Sequence, residues 1–158
     1  MGHTHAVMGA LTGALIAAHA GSSPSSMLLL AGTGAIAALL ADIDHPRSML
    51  RQRAGLLGTL AFWWLPHRGV THTLWALLLV GVIAHVLAPG TVALVIGLAF
   101  ASHLLLDMLT PVGIHPLLPL RWRLRSPVTI RTGGRIEWLF GAALSVSLVV
   151  LLVNFISL

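Results

Sequence analysis

The four acidic residues of this chain fall in three short motifs, and histidines crowd the same stretches. Asp42 and Asp44 stand in Ala41-Asp42-Ile43-Asp44-His45-Pro46. Asp107 closes Ser102-His103-Leu104-Leu105-Leu106-Asp107, and Glu137 lies in Gly134-Arg135-Ile136-Glu137-Trp138. Two further motifs carry histidine without acid: His3-Thr4-His5, and His67-Arg68-Gly69-Val70-Thr71-His72-Thr73. Imidazole and carboxylate together are the donor set of an oxygen/nitrogen metal site. The chain has no cysteine, so thiolate ligation and disulfides are excluded.

Each motif also has a plainer reading. His103 and Asp107 are spaced i, i+4 and share one helix face, which suits two ligands or a hydrogen bond between helices. The Asp42–Pro46 run reads as a helix end, with Pro46 forbidding continuation. An acid at a helix C-terminus opposes the macrodipole, and a bound cation would relieve that conflict. Asp44 is therefore expected as ligand or general base, with Asp42 ranked behind it. His72 is expected as a ligand and His67 as a ligand or proton donor, while the guanidinium of Arg68 suits phosphate. The plainer alternative there is a helix cap at Thr71. His5 and His3 are candidate ligands. His45, His115, Glu137 and Arg135 are candidates for a supporting or substrate-holding role. Three histidines and two or three carboxylates exceed one structural tetrahedral site. They fit a catalytic centre of one or two ions that activates water near neutral pH, with arginines neutralising phosphate.

The elements that must position these groups are membrane helices. The chain is 57% hydrophobic and 8% charged, with mean hydropathy +0.95. A soluble domain carries about 25% charged residues. Apolar stretches near residues 5–20, 27–41, 72–88, 91–110 and 136–157 predict an all-α bundle of about five transmembrane helices in a single domain, 1–158. Residues 55–66 predict a short interfacial or re-entrant segment. Ala18-His19-Ala20 resembles a signal-peptide cleavage site, but no Lys or Arg precedes the apolar run, so the segment is read as a retained helix. Turns fall at 21–26 and at Ala88-Pro89-Gly90, and residues 111–135 form a long Pro- and Gly-rich loop.

All nine basic residues are Arg and give a net charge of +5. They fall in the 42–71 and 111–135 connections and are missing from the two short turns, which places the Arg-bearing side in the cytoplasm. The N-terminus then lies inside. His3, His5, Asp42, Asp44, His45, His67, His72, His103, Asp107 and Glu137 all fall at that one membrane face, while His19 and His85 fall at the other. The basic balance points to anionic lipid headgroups. No basic recognition helix, nucleotide loop or Gly-x-Ser-x-Gly elbow is present, so no nucleic-acid partner is expected.

The ordered set of His3-Thr4-His5, the Asp42–Pro46 run, the His67–Thr73 motif, Ser102 to Gly113 and Gly134-Arg135-Ile136-Glu137 resembles the YdjM family of bacterial and archaeal membrane-bound, predicted metal-dependent hydrolases. That family is similar, more distantly, to the zinc-dependent phospholipase C and S1/P1 nuclease group. The resemblance implies His103 and Asp107 as core ligands, with Asp107 able to bridge two metals. It also implies Asp44 or Asp42, His72 and the N-terminal histidines as the remainder. Those enzymes carry a later His-x-x-x-Glu pair, whereas Gly133 stands four residues before Glu137 here. The expected cofactor is one or two Zn2+, with Mn2+ or Fe2+ as alternatives. The expected activity is phosphoester hydrolysis of a lipid or lipid-linked substrate. The rival expectations are a metal transporter or sensor, and a non-catalytic membrane scaffold.

Overall fold

A computed structural model describes residues 1–44, 55 and 69–157. His45, His67 and Arg68, and all of the 55–66 segment except Gly55, lie outside these residues. Among the described residues the α-helices with given bounds are α1 (Gly2–His19), α2 (Pro24–Leu40), α3 (Leu74–Leu87), α4 (Gly90–Met108) and α5 (Arg135–Ile156). Short 3-10 turns at Ala41–Asp44 and Val70–His72 extend the end of α2 and precede α3. No strand is formed among the described residues.

Local chemistry explains the helix ends. Ser23 caps α2 by accepting from Ser26 N–H, with Pro24 in the first turn where its missing N–H costs nothing. Thr73 caps α3 by accepting from Ala76 N–H. The cap expected at Thr71 is therefore two residues later, which frees Thr71 for another partner. Ala88 and Pro89 are extended and separate α3 from α4.

The centre of the bundle is α1 against α2 and α4. Ala10, Ala14, Ala17, Met27, Leu30, Ala31 and Val95 form its buried core, and Leu148, Leu151 and Phe155 of α5 pack against it. Gly9 and Gly13 of α1 meet Gly34 and Leu30 of α2 backbone to backbone. A Cβ at any of the three glycines would strike the opposing carbonyl, so close approach of small residues sets this contact. On the other flank, Phe100 and Leu104 of α4 are buried, with Ala76, Leu77 and Val80 of α3 beside them.

Among the described residues, three segments are long and apolar enough to cross a bilayer: α2 with its 3-10 extension (Pro24–Asp44), α4 and α5. Helix α3 is apolar but has 14 residues, roughly 21 Å at the helical rise against a hydrocarbon core of about 30 Å. The outward faces are greasy. Leu78, Leu79, Val82 and Val86 of α3, and Val146, Val149 and Val153 of α5, are all exposed. Such surface is stable against lipid and not against water.

Candidate metal centre

Five chain segments converge at one end of the bundle. They are the start of α1, the 3-10 turn after α2, the 3-10 turn before α3, the last turns of α4, and the start of α5. His5, His72, His103 and Asp107 are almost wholly buried there, at 0–1% exposure. Asp42 is half-buried beside them. Burying that many polar groups is costly unless they satisfy one another or a bound ion.

The distances decide what they satisfy. His72 Nε2 lies 3.3 Å from His103 Nε2 and 3.2 Å from Asp107 Oδ2. Asp42 Oδ1 is 3.7 Å from both imidazole nitrogens, and His103 Nε2 is 3.7 Å from Asp107 Oδ2. A tetrahedral zinc with bonds of about 2.0–2.1 Å sets its ligand atoms about 3.3–3.4 Å apart. The His72–His103 and His72–Asp107 spacings match that arrangement, and the three at 3.7 Å are a few tenths of an ångström wider. His5 Nε2 approaches the other oxygen of Asp107, Oδ1, at 3.4 Å. His5 also groups with Asp42 and His103 as a second possible ligand triad. A divalent cation balances the two carboxylates Asp42 and Asp107, so the donor set fits such an ion in both geometry and charge.

Supporting contacts aim the ligands. Thr71 Oγ1 donates to Asp44 Oδ2 at 2.7 Å and sits 2.9 Å from His72 Nδ1. With its own proton committed to Asp44, the hydroxyl accepts from His72 Nδ1–H, which leaves Nε2 to face the cluster. This is the carboxylate-supported histidine that metal sites use. The His5 and His103 rings stack, with centroids 3.8 Å apart. Their Nδ1 atoms have no hydrogen-bond partner among the described residues, so packing orients these two rings.

Glu137 has a structural partner set. It accepts from Thr4 Oγ1 at 3.1 Å and Gly133 N–H at 2.6 Å, and pairs with the N-terminal amine at 3.2 Å. It thereby ties α1 to α5 one residue from His5.

The sequence-based candidates separate on this geometry. His5, Asp42, His72, His103 and Asp107 are brought together. Asp44 lies behind His72, on the Nδ1 side, at 3.7 Å. His3 is exposed and lines a cleft with Gly133, Glu137 and Trp138. His115 is half-buried and takes no part in the convergent groups. Arg135 is exposed at the first turn of α5. Thr4 and Thr71 are supporting residues outside the sequence-based candidates. A hydroxyl next to a candidate ligand in each of Thr4-His5 and Thr71-His72 is the signal that could have found them.

His72 lies outside the membrane helices and carries a testable consequence. Burial alone would lower its pKa. Hydrogen bonds to Asp107 and Asp42, with the charges of Asp107 and Asp44, outweigh burial and raise it to about 9. Below that pH the metal-free protein holds a proton on His72, and a cation must displace it. Apparent metal affinity should therefore rise with pH, by up to about tenfold per unit below pH 9, and level off above it. Competition titrations from pH 6.5 to 8.5 read this directly; a flat profile would remove His72 from the ligand set.

The fold and site define a class, a helical membrane protein with a buried His/Asp cluster at one end of its bundle. The family described as YdjM inner membrane protein matches residues 1–157, and the chain belongs to that family. Inner membrane protein YdjM of Escherichia coli (strain K12) is 36% identical over 108 residues, covering 63% of this chain and 54% of that protein. The Shigella flexneri protein of the same name gives the same figures. The chain thus spans about half the length of these relatives. YvsG of Bacillus subtilis (strain 168), described as an uncharacterized protein, is 34% identical over 150 residues, covering 92% of this chain and 90% of its own. No solved structure matches the chain.

Proposed function

We propose that the chain is a membrane-embedded, metal-dependent hydrolase that cleaves a phosphoester in a lipid or lipid-linked substrate. The observation that carries this reading is the set of ligand-atom spacings among His72, His103, Asp107 and Asp42. Zn2+ suits the mixed donors best, with Mn2+ or Fe2+ as alternatives. An ion held there supplies Lewis acidity and activates water at neutral pH.

The chain's own residues have separable roles in this reading. His72, His103 and Asp107 would hold the ion, and His5 would complete the set or help Asp107 hold a second one. Asp42, the more exposed acid, is placed to take a proton or give up its position to substrate. Asp44 acts through Thr71 to fix the His72 ring. Arg135, and Arg68 on the sequence reading, hold phosphate oxygens. The arginines of the α4–α5 loop favour a cytoplasmic orientation for this end, where headgroups of the inner leaflet are the nearest phosphoesters.

The test is turnover by protein reconstituted in nanodiscs and loaded with zinc or manganese, assayed on phospholipids and on bis(p-nitrophenyl) phosphate. The expected result is hydrolysis that chelation stops and His103→Ala lacks. An ion bound without turnover on any phosphoester would replace this reading with that of a metal sensor or transporter.

A further inference from the structure

The loop between α4 and α5 is ordered, basic and greasy at once. It folds back as Ile114 and Leu124 exchange both backbone hydrogen bonds, at 2.9 and 3.0 Å. Ser126 N–H and Ile130 N–H return to Met108 O and Leu109 O at the end of α4. Gly113, at φ 67°, makes the tight turn that permits this, because a Cβ there would meet Leu124 O at 2.6 Å. Trp75 of α3 donates to Leu118 O at 3.0 Å and fixes the far side.

The fold-back displays Leu120, Trp122 and Val128 outward, at 62%, 53% and 76% exposure. Arg121, Arg123, Arg125 and Arg131 alternate with them and are exposed. The loop holds no acid between Asp107 and Glu137, and none of its arginines pairs with a carboxylate among the described residues. Arg123 and Arg125 spend only part of their donor set, on the carbonyls of Pro111 and Val112. Those bonds hold the guanidinium planes in place and leave N–H groups free for an external anion.

We infer that the fold-back at residues 112–131 is a binding surface for anionic phospholipids, with Trp122 and Leu120 seated among the acyl-chain ends and the arginines on lipid phosphates. Outward apolar side chains argue against a purely aqueous exposure, and their mixture with unpaired guanidiniums fits the headgroup layer. The surface lies at the same end of the bundle as the His/Asp cluster and would gather anionic lipid there. The inference does not require that the cluster be catalytic.

The test is lipid selectivity of the full chain in mixed phosphatidylcholine–phosphatidylglycerol bilayers, read by tryptophan quenching with brominated lipid of either type. Wild type should favour phosphatidylglycerol. Arg121→Gln should weaken that preference by about fivefold, the weight of one arginine near an anionic surface, and Arg121→Lys should keep it. The combined variant Arg121→Gln/Arg125→Gln/Arg131→Gln should show none, at unchanged metal content. No preference in wild type, or full preference in Arg121→Gln and in the combined variant, would overturn the inference. So would displacement by soluble glycerol phosphate, which would show a pocket for a free anion.

Discussion

Asp107→Asn is expected to strip the bound cation while the helices stay assembled. The side chain keeps its size, so packing around α4 is not disturbed. What is lost is charge at a residue whose two oxygens face different histidines, His5 through Oδ1 and His72 through Oδ2. Even partners outside the ligand set cost about 10–100-fold in metal affinity, so the loss here should exceed about a hundredfold. His103→Ala should act similarly, since it also removes the ring on which His5 stacks. Isothermal titration with zinc, beside size-exclusion profiles of each variant, reads both halves of the expectation. If affinity persists in the folded Asp107→Asn protein, Asp107 is only a hydrogen-bond partner between helices.

The second large effect lies far from the ligands. Gly34→Ala should destabilise the protein by about 1–3 kcal/mol or more, the cost of forcing an extra carbon into a filled contact. Its new Cβ would strike the Gly9 carbonyl oxygen and come within 2.9 Å of Gly9 C. The backbone cannot yield as a side chain can, so α1 must move off α2 and carry His5 with it. Gly32→Ala supplies the control on the same helix. Nothing lies within 4 Å of a Cβ there, and a better helix former should leave stability unchanged or slightly higher. Thermal unfolding in detergent should rank Gly34→Ala well below wild type and Gly32→Ala level with it. Equal stabilities would mean that the two helices are not in backbone contact.

Much of this architecture is legible in the sequence. Apolar runs and their Ser-Pro, Thr and Pro-Gly punctuation locate the five helices within a few residues. Alternating direction then brings the His and Asp motifs to one end, because each motif terminates or begins a helix. The choice between Asp42 and Asp44 was not legible. The chain after Leu40 tightens from α to 3-10 geometry, which changes the angle between successive side chains. Asp42 then faces the imidazole nitrogens and Asp44 goes behind His72. A helix type set over one turn leaves no periodic signal. Thr71 was obscured for a related reason, because both Thr71 and Thr73 are competent caps and only the placement of Asp44 assigns Thr71 elsewhere. The separation of His3 from His5 follows from helix formation starting at Gly2, where neighbours two apart point to different faces.

Elemental analysis of the full chain, purified in detergent without a polyhistidine tag, decides whether the His/Asp cluster holds a metal. The expected result is one or two divalent ions per chain, removed by chelation and restored by zinc or manganese. A monodisperse, folded protein that retains no ion after incubation with either metal would contradict it, and would leave the His/Asp cluster as a polar tie between helices.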